Sequence, residues 1–132
     1  MSNKIFFNFN RKETASYEEI KKGLAYGYKP VPPRDRLWEA RLILQEHNFD
    51  MTVTSNYAYD LKQGNLPPLS FCIIPNCNSE GIPTGQWELQ FVRDMHDNPS
   101  EGKTLYIGEY SGCLNSSVTH LRAINDIRRV VL

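Results

Sequence analysis

Apolar residues recur along this chain with two spacings. A spacing near 3.6 marks an amphipathic helix, and strict alternation marks a strand with one buried face. Alternation opens the chain. In Lys4–Phe9 (K-I-F-F-N-F), Ile5, Phe7 and Phe9 share one face and Phe6 takes the other, which predicts a first strand. Ser16-Tyr-Glu-Glu19 then forms a capping box, in which hydroxyl and carboxylate each satisfy a backbone N–H at a helix start. The predicted helix presents Tyr17, Ile20 and Leu24 and ends at Gly27. Tyr28–Pro33 holds three prolines in four positions, the composition of a stiff extended connector.

The strongest helical pattern is Arg34–His47. Leu37, Ala40, Ile43, Leu44 and His47 make one broad face, and Trp38 and Leu42 carry apolar surface round the side. That girth predicts a central helix with sheet on one side and another helix beside it. Asn48 is a natural left-handed terminator. A strand is expected from Asp50 to Ser55, then a turn or loop through Asn65. Leu69–Ile74, Gln86–Arg93 and Lys103–Tyr110 read as a three-strand meander, with Pro75 ending the first pairing. Trp87, Leu89 and Phe91 share a face in the second of these, and Leu105 and Ile107 in the third. Ser116 or Ser117 should cap a last helix whose apolar side is Val118, Leu121, Ile124, Ile127 and Val131. The element order β-α-α-β-β-β-β-α predicts an α+β two-layer sandwich, with a mainly antiparallel sheet of about four to five strands on about three helices. At 132 residues the chain is expected to form a single globular domain, 1–132.

Composition narrows the function classes. Net charge is zero but unevenly distributed. Up to Asn48 there are nine basic against six acidic residues, from Phe49 to Tyr110 three against eight, and beyond Tyr110 three against one. An acidic sheet region between mildly basic ends argues against the broad basic footprint of a duplex-DNA binder. No apolar run approaches a membrane span and no signal pattern opens the chain, so the expected setting is the cytoplasm, with no membrane partner. Three cysteines, Cys72, Cys77 and Cys113, lack C-x-x-C spacing and read as reduced thiols, with neither a zinc site nor a disulfide frame.

Candidate chemistry is sparse. Asp94, His96 and Asp97 crowd one loop and could make an acid–base pair. Cys113, expected just before the last helix, could gain nucleophilicity from the helix N-terminus, with His96 as its base. His120 falls on the apolar side of that helix and reads as a core histidine. Seven tyrosines cluster near turns, and Tyr26, Tyr28, Tyr57 and Tyr59 flank connectors, the placement of a contact surface. No phosphate-binding loop, dinucleotide fingerprint or nucleophile elbow is present, and no cofactor or metal is expected. The expectation is therefore a protein-binding module, of inhibitor, immunity or anti-defence type. Tyr26, Tyr28, Tyr57, Tyr59, Asp94 and Asp97 would be its contact residues, and its partner another protein with a basic, nucleic-acid-handling surface. The alternative is a small enzyme using the Asp94/His96/Asp97 loop with Cys113. A weaker alternative is single-stranded nucleic-acid binding through sheet aromatics.

Overall fold

The computed structural model describes residues 5–7, 22, 34–92 and 102–131. Helix α1 (Arg34–Glu46) leads into five strands, β1 (Phe49–Val53), β2 (Ala58–Gln63), β3 (Leu69–Cys77), β4 (Pro83–Val92) and β5 (Lys103–Gly108), and then helix α2 (Tyr110–Val131). The strands form one sheet in sequence order, every neighbouring pair antiparallel. The architecture is α+β, with two helices among the described residues. The expected helix around Tyr17–Leu24 and the proline connector lie outside the described residues, apart from Lys22, which is helical.

Alternation fixes the faces of the sheet. Phe49, Met51, Tyr59, Leu61, Leu69, Phe71, Ile73, Trp87 and Leu89 all point to one side and are buried there. Onto this face α2 lays Tyr110, Cys113, Leu114, Ser117, Val118 and Leu121, a buried stripe with helical spacing. From α1, Leu37, Ala40 and Leu44 close the same core over β1. Removing a side chain of this size from water is worth about 1.5–3 kcal/mol, so these positions dominate the stability of the fold. At the end of α1, Asn48 adopts φ 65°, as its residue type predicts, and reverses the chain into β1.

Several expectations are corrected. Residues 58–63 form a full strand, β2, where a loop was expected, because Tyr59 and Leu61 are buried between β1 and β3. Strand β3 continues past Pro75 to Cys77. The N–H of Ile73 points at Tyr57, so the nitrogen of Pro75 faces the same side but beyond the first residue of β2, and the missing N–H costs no ladder bond. Helix α2 starts at Tyr110, not at Ser116 or Ser117. Its first buried turn overrides the breaker signal of Ser111-Gly112, and Ser117 Oγ bonds back to the Leu114 carbonyl at 2.7 Å. A bulge between β4 and β5 separates Leu105 from Ile107. Leu105 packs on the core, whereas Ile107 stands 46 % exposed on the other face.

The N-terminal segment also differs from expectation. Ile5 and Phe7 are buried and Phe6 is 85 % exposed, the alternation of a strand, yet the described part of it stands outside the sheet. Its backbone is held by a side chain. Asn115 Oδ1 accepts from the Ile5 N–H at 2.9 Å, and Asn115 Nδ2 donates to the Ile5 carbonyl at 3.0 Å. One amide thus supplies the donor and acceptor that a neighbouring strand would offer.

Candidate functional site

Asp94, His96, Asp97, Tyr26 and Tyr28 lie outside the described residues. The remaining candidates are well separated in character. Tyr57, on the turn between β1 and β2, is 38 % exposed and available to a partner. Tyr59, two residues on, is fully buried, so it does not offer a contact surface. Its ring stacks on Phe71 at 5.8 Å, and burial pushes its phenol pKa well above the ordinary value. The two tyrosines differ because Tyr59 lies inside β2 on its core face, whereas Tyr57 precedes the strand on the turn, a boundary that the loop assignment of this stretch concealed.

Cys113 is likewise fully buried, inside the first turn of α2. A nucleophile needs access for its substrate, and this thiol has none. Its N–H donates to the Glu109 carbonyl at 3.0 Å, the first bond of the helix. Cys72 is buried on the opposite face of the sheet, where desolvation, helped by the Glu88 carboxylate, pushes its pKa up to about 11. Cys77 is exposed at the end of β3, and no disulfide joins Cys72, Cys77 and Cys113. Among the described residues no group of His, Cys, Asp or Glu is arranged to hold a metal ion.

The sheet face opposite the helices carries most of the organised polar chemistry. Asp50, Asp60, Lys62 and Glu88 project from it, three carboxylates against one ammonium. Asp60 Oδ1 accepts from Ser70 Oγ at 2.7 Å. Glu88 Oε2 accepts both from Gln90 Nε2 at 2.6 Å and from Thr104 Oγ1 at 2.9 Å. These bonds hold the Asp60 and Glu88 carboxylates in place across β2 to β5. The middle of this face is closed at Cys72, Gln90 and Val92, which are buried, while Asp50, Thr52, Thr104 and Ile107 are exposed along its margins.

Among the described residues, one cleft opens at each side of the sheet. One, of about 240 Å³, runs between α1 and β1 and is lined by Arg41 and Gln45 above and by Phe49–Thr52 below. Above it, Trp38 and Leu42 are 50 % and 61 % exposed, against the expectation of a helix covered on both sides. The Arg41 guanidinium lies 5.9 Å from the Trp38 ring centre. The other cleft, of about 270 Å³, lies beside β5 and the first turns of α2, between Tyr106, Glu109 and Thr119.

This is an α+β protein built on a five-stranded antiparallel meander. Comparison with known protein families, with curated proteins and with solved structures finds no match to the chain. Among the described residues no helix is long and apolar enough to cross a membrane.

Proposed function

We propose that this chain is a protein-binding module of inhibitor or immunity type, which covers a basic surface on its partner, such as a nucleic-acid-handling cleft. The observation that carries this reading is the sheet face with Asp50, Asp60 and Glu88. Two of these carboxylates are pre-positioned by hydrogen bonds from Ser70, Gln90 and Thr104. Pre-positioned acceptors lose little entropy on meeting a cationic surface, and a field of one sign speeds the encounter. Exposed Tyr57 at the hairpin adds an amphipathic anchor on the rim. Tyr26, Tyr28, Asp94 and Asp97 belong to the same reading.

A pull-down with the tagged chain should recover a stoichiometric protein, released by salt. Changing Asp50→Lys together with Tyr57→Ala should abolish recovery while the chain stays folded, because both side chains are exposed. Recovery that ignores both substitutions, or no stoichiometric protein at all, would end this reading.

A further inference from the structure

The edge of the sheet at β1 and the flank of α1 above it are both unpartnered among the described residues, and they face the same way. The hydrogen-bond phase of β1 follows from two contacts. The Thr54 N–H donates to the Ala58 carbonyl at 3.0 Å, so the even-numbered residues of β1 pair with β2. The Ile73 N–H donates to the Tyr57 carbonyl at 2.7 Å, so the odd-numbered residues of β2 pair with β3. Both place the N–H and C=O groups of Phe49, Met51 and Val53 on the outer edge, pointing away from the sheet. This explains how Phe49 and Met51, whose side chains are buried, also line the cleft beneath Arg41 and Gln45. Their backbones form its floor.

The helix turns its apolar surplus to that side. On a 100° wheel, Arg41, Gln45, Trp38 and Leu42 follow one another round the flank away from Leu37, Ala40 and Leu44. The flank that overhangs the open strand edge therefore carries the exposed Trp38 and Leu42.

We infer that this side is a two-fold interface with a second copy of the chain, in which β1 pairs antiparallel with its own symmetry mate and the two α1 flanks meet above the joined sheet. The register argues for a second copy. Only core-facing residues present edge groups, and the two-fold register that engages all three of them sets Met51 opposite its own mate and Phe49 opposite Val53, each as a hydrogen-bonded pair. This register uses every outward N–H and C=O of the strand at once. On the other face it sets Asp50 opposite Thr52 of the second copy, a carboxylate facing a hydroxyl donor, and no like charges meet there. The same two-fold axis brings Trp38 and Leu42 of both copies onto one side, where they cover each other. A single occupant thus satisfies both the strand edge and the helix flank.

The test is sedimentation velocity of the full chain over a dilution series, with Thr52→Asp and Thr52→Lys beside the unaltered protein. Thr52 is exposed and points away from the core, so both variants should keep the native circular dichroism spectrum. The unaltered chain should show the mass of two copies, dissociating on dilution. Thr52→Asp sets two pairs of carboxylates face to face and should raise the dissociation constant about tenfold, whereas Thr52→Lys should hold or lower it. Amide exchange gives a second reading. The Met51 and Val53 amides should exchange fast when dilute and slowly when concentrated, while Asp50 and Thr52 stay protected throughout. A chain that is monomeric at every concentration overturns the proposal and assigns the edge to a strand of some other protein. So does a dimer indifferent to both Thr52 substitutions.

Discussion

The two edge strands of the sheet are built in opposite ways. Strand β1 pairs with β2 in an unbroken register over its whole length, and its sequence F-D-M-T-V has neither proline nor lysine. Strand β5 pairs with β4 through a bulge, opens on Lys103 and ends at Gly108, where the chain turns into α2. Bulges and edge lysines are the usual means of stopping a strand from recruiting another. One edge is therefore blunted and the other left plain. An unguarded edge invites aggregation, so a plain β1 has a use that the bulged β5 does not. The exposed apolar residues of α1 sit on the plain side, which joins the two observations.

The plain edge rests on its neighbour, and the largest expected effect comes from removing that support. Tyr59 stands opposite Val53 on β1 and Phe71 on β3, fully buried. Tyr59→Ala should cost about 3–5 kcal/mol, the range for emptying an aromatic site in a core. Tyr57→Ala, at the exposed turn, should stay within about 0.5 kcal/mol. Urea denaturation of both variants measures the contrast, and equal losses would mean that β2 does not anchor β1.

The blunted edge is pinned by a tyrosine over two glycines. A Cβ built on Gly108 or on Gly112 would overlap the Tyr106 ring, so the absence of side chains at both positions makes the slot in which that ring lies. Gly112→Ala should destabilise. Steric overlap costs about 1–3 kcal/mol, more than the roughly 0.8–1 kcal/mol that alanine gains over glycine inside a helix. Tyr106→Ala in the same chain should remove the penalty and turn Gly112→Ala into a gain. If the single substitution already stabilises, Tyr106 swings freely and β5 is not held by this contact.

How much of this was legible in the sequence depends on whether the pattern was local. Helix α1, the Asn48 reversal and the shared face of Trp87, Leu89 and Phe91 were all readable, because each follows from spacing within one element. Strand β2 was missed because Tyr59 and Leu61 are the only large apolar residues in A-Y-D-L-K-Q. Their burial comes from strands on both sides, which no short window contains. The start of α2 was set too late because Ser111 and Gly112 disfavour helix locally, while Tyr110, Cys113 and Leu114 are drawn into the core. The same error made Cys113 look accessible. The bulge that divides Leu105 from Ile107 is a property of the strand pair. The clearest surface features, Trp38 and Leu42 above the β1 edge, were visible as apolar residues. Their exposure became evident only once β1 was seen to be the last strand of the sheet on that side among the described residues.

The smallest expected effect tests the β5 side through a single proton. His120 on α2 was expected in the core and is half-buried there, with ring centres 5.1 Å from Phe91 and 6.1 Å from Phe71. Burial lowers its pKa below the ordinary 6.5, and the Lys103 ammonium at the start of β5 lowers it further. The unfolded chain then binds this proton at a higher pH than the folded one does. Stability from this group is complete above about pH 6.5 and falls as pH drops from there through the lowered folded value. His120→Phe keeps the aromatic contact with Phe71 and Phe91 and should flatten that part of the pH profile of unfolding free energy. Lys103→Gln should shift the folded pKa of His120 partway back up, followed by its ring proton shifts in NMR. If Lys103→Gln leaves the titration unmoved, the edge lysine faces solvent alone. Its role would then be confined to guarding β5, and the contrast with β1 would rest on the bulge and on Tyr106.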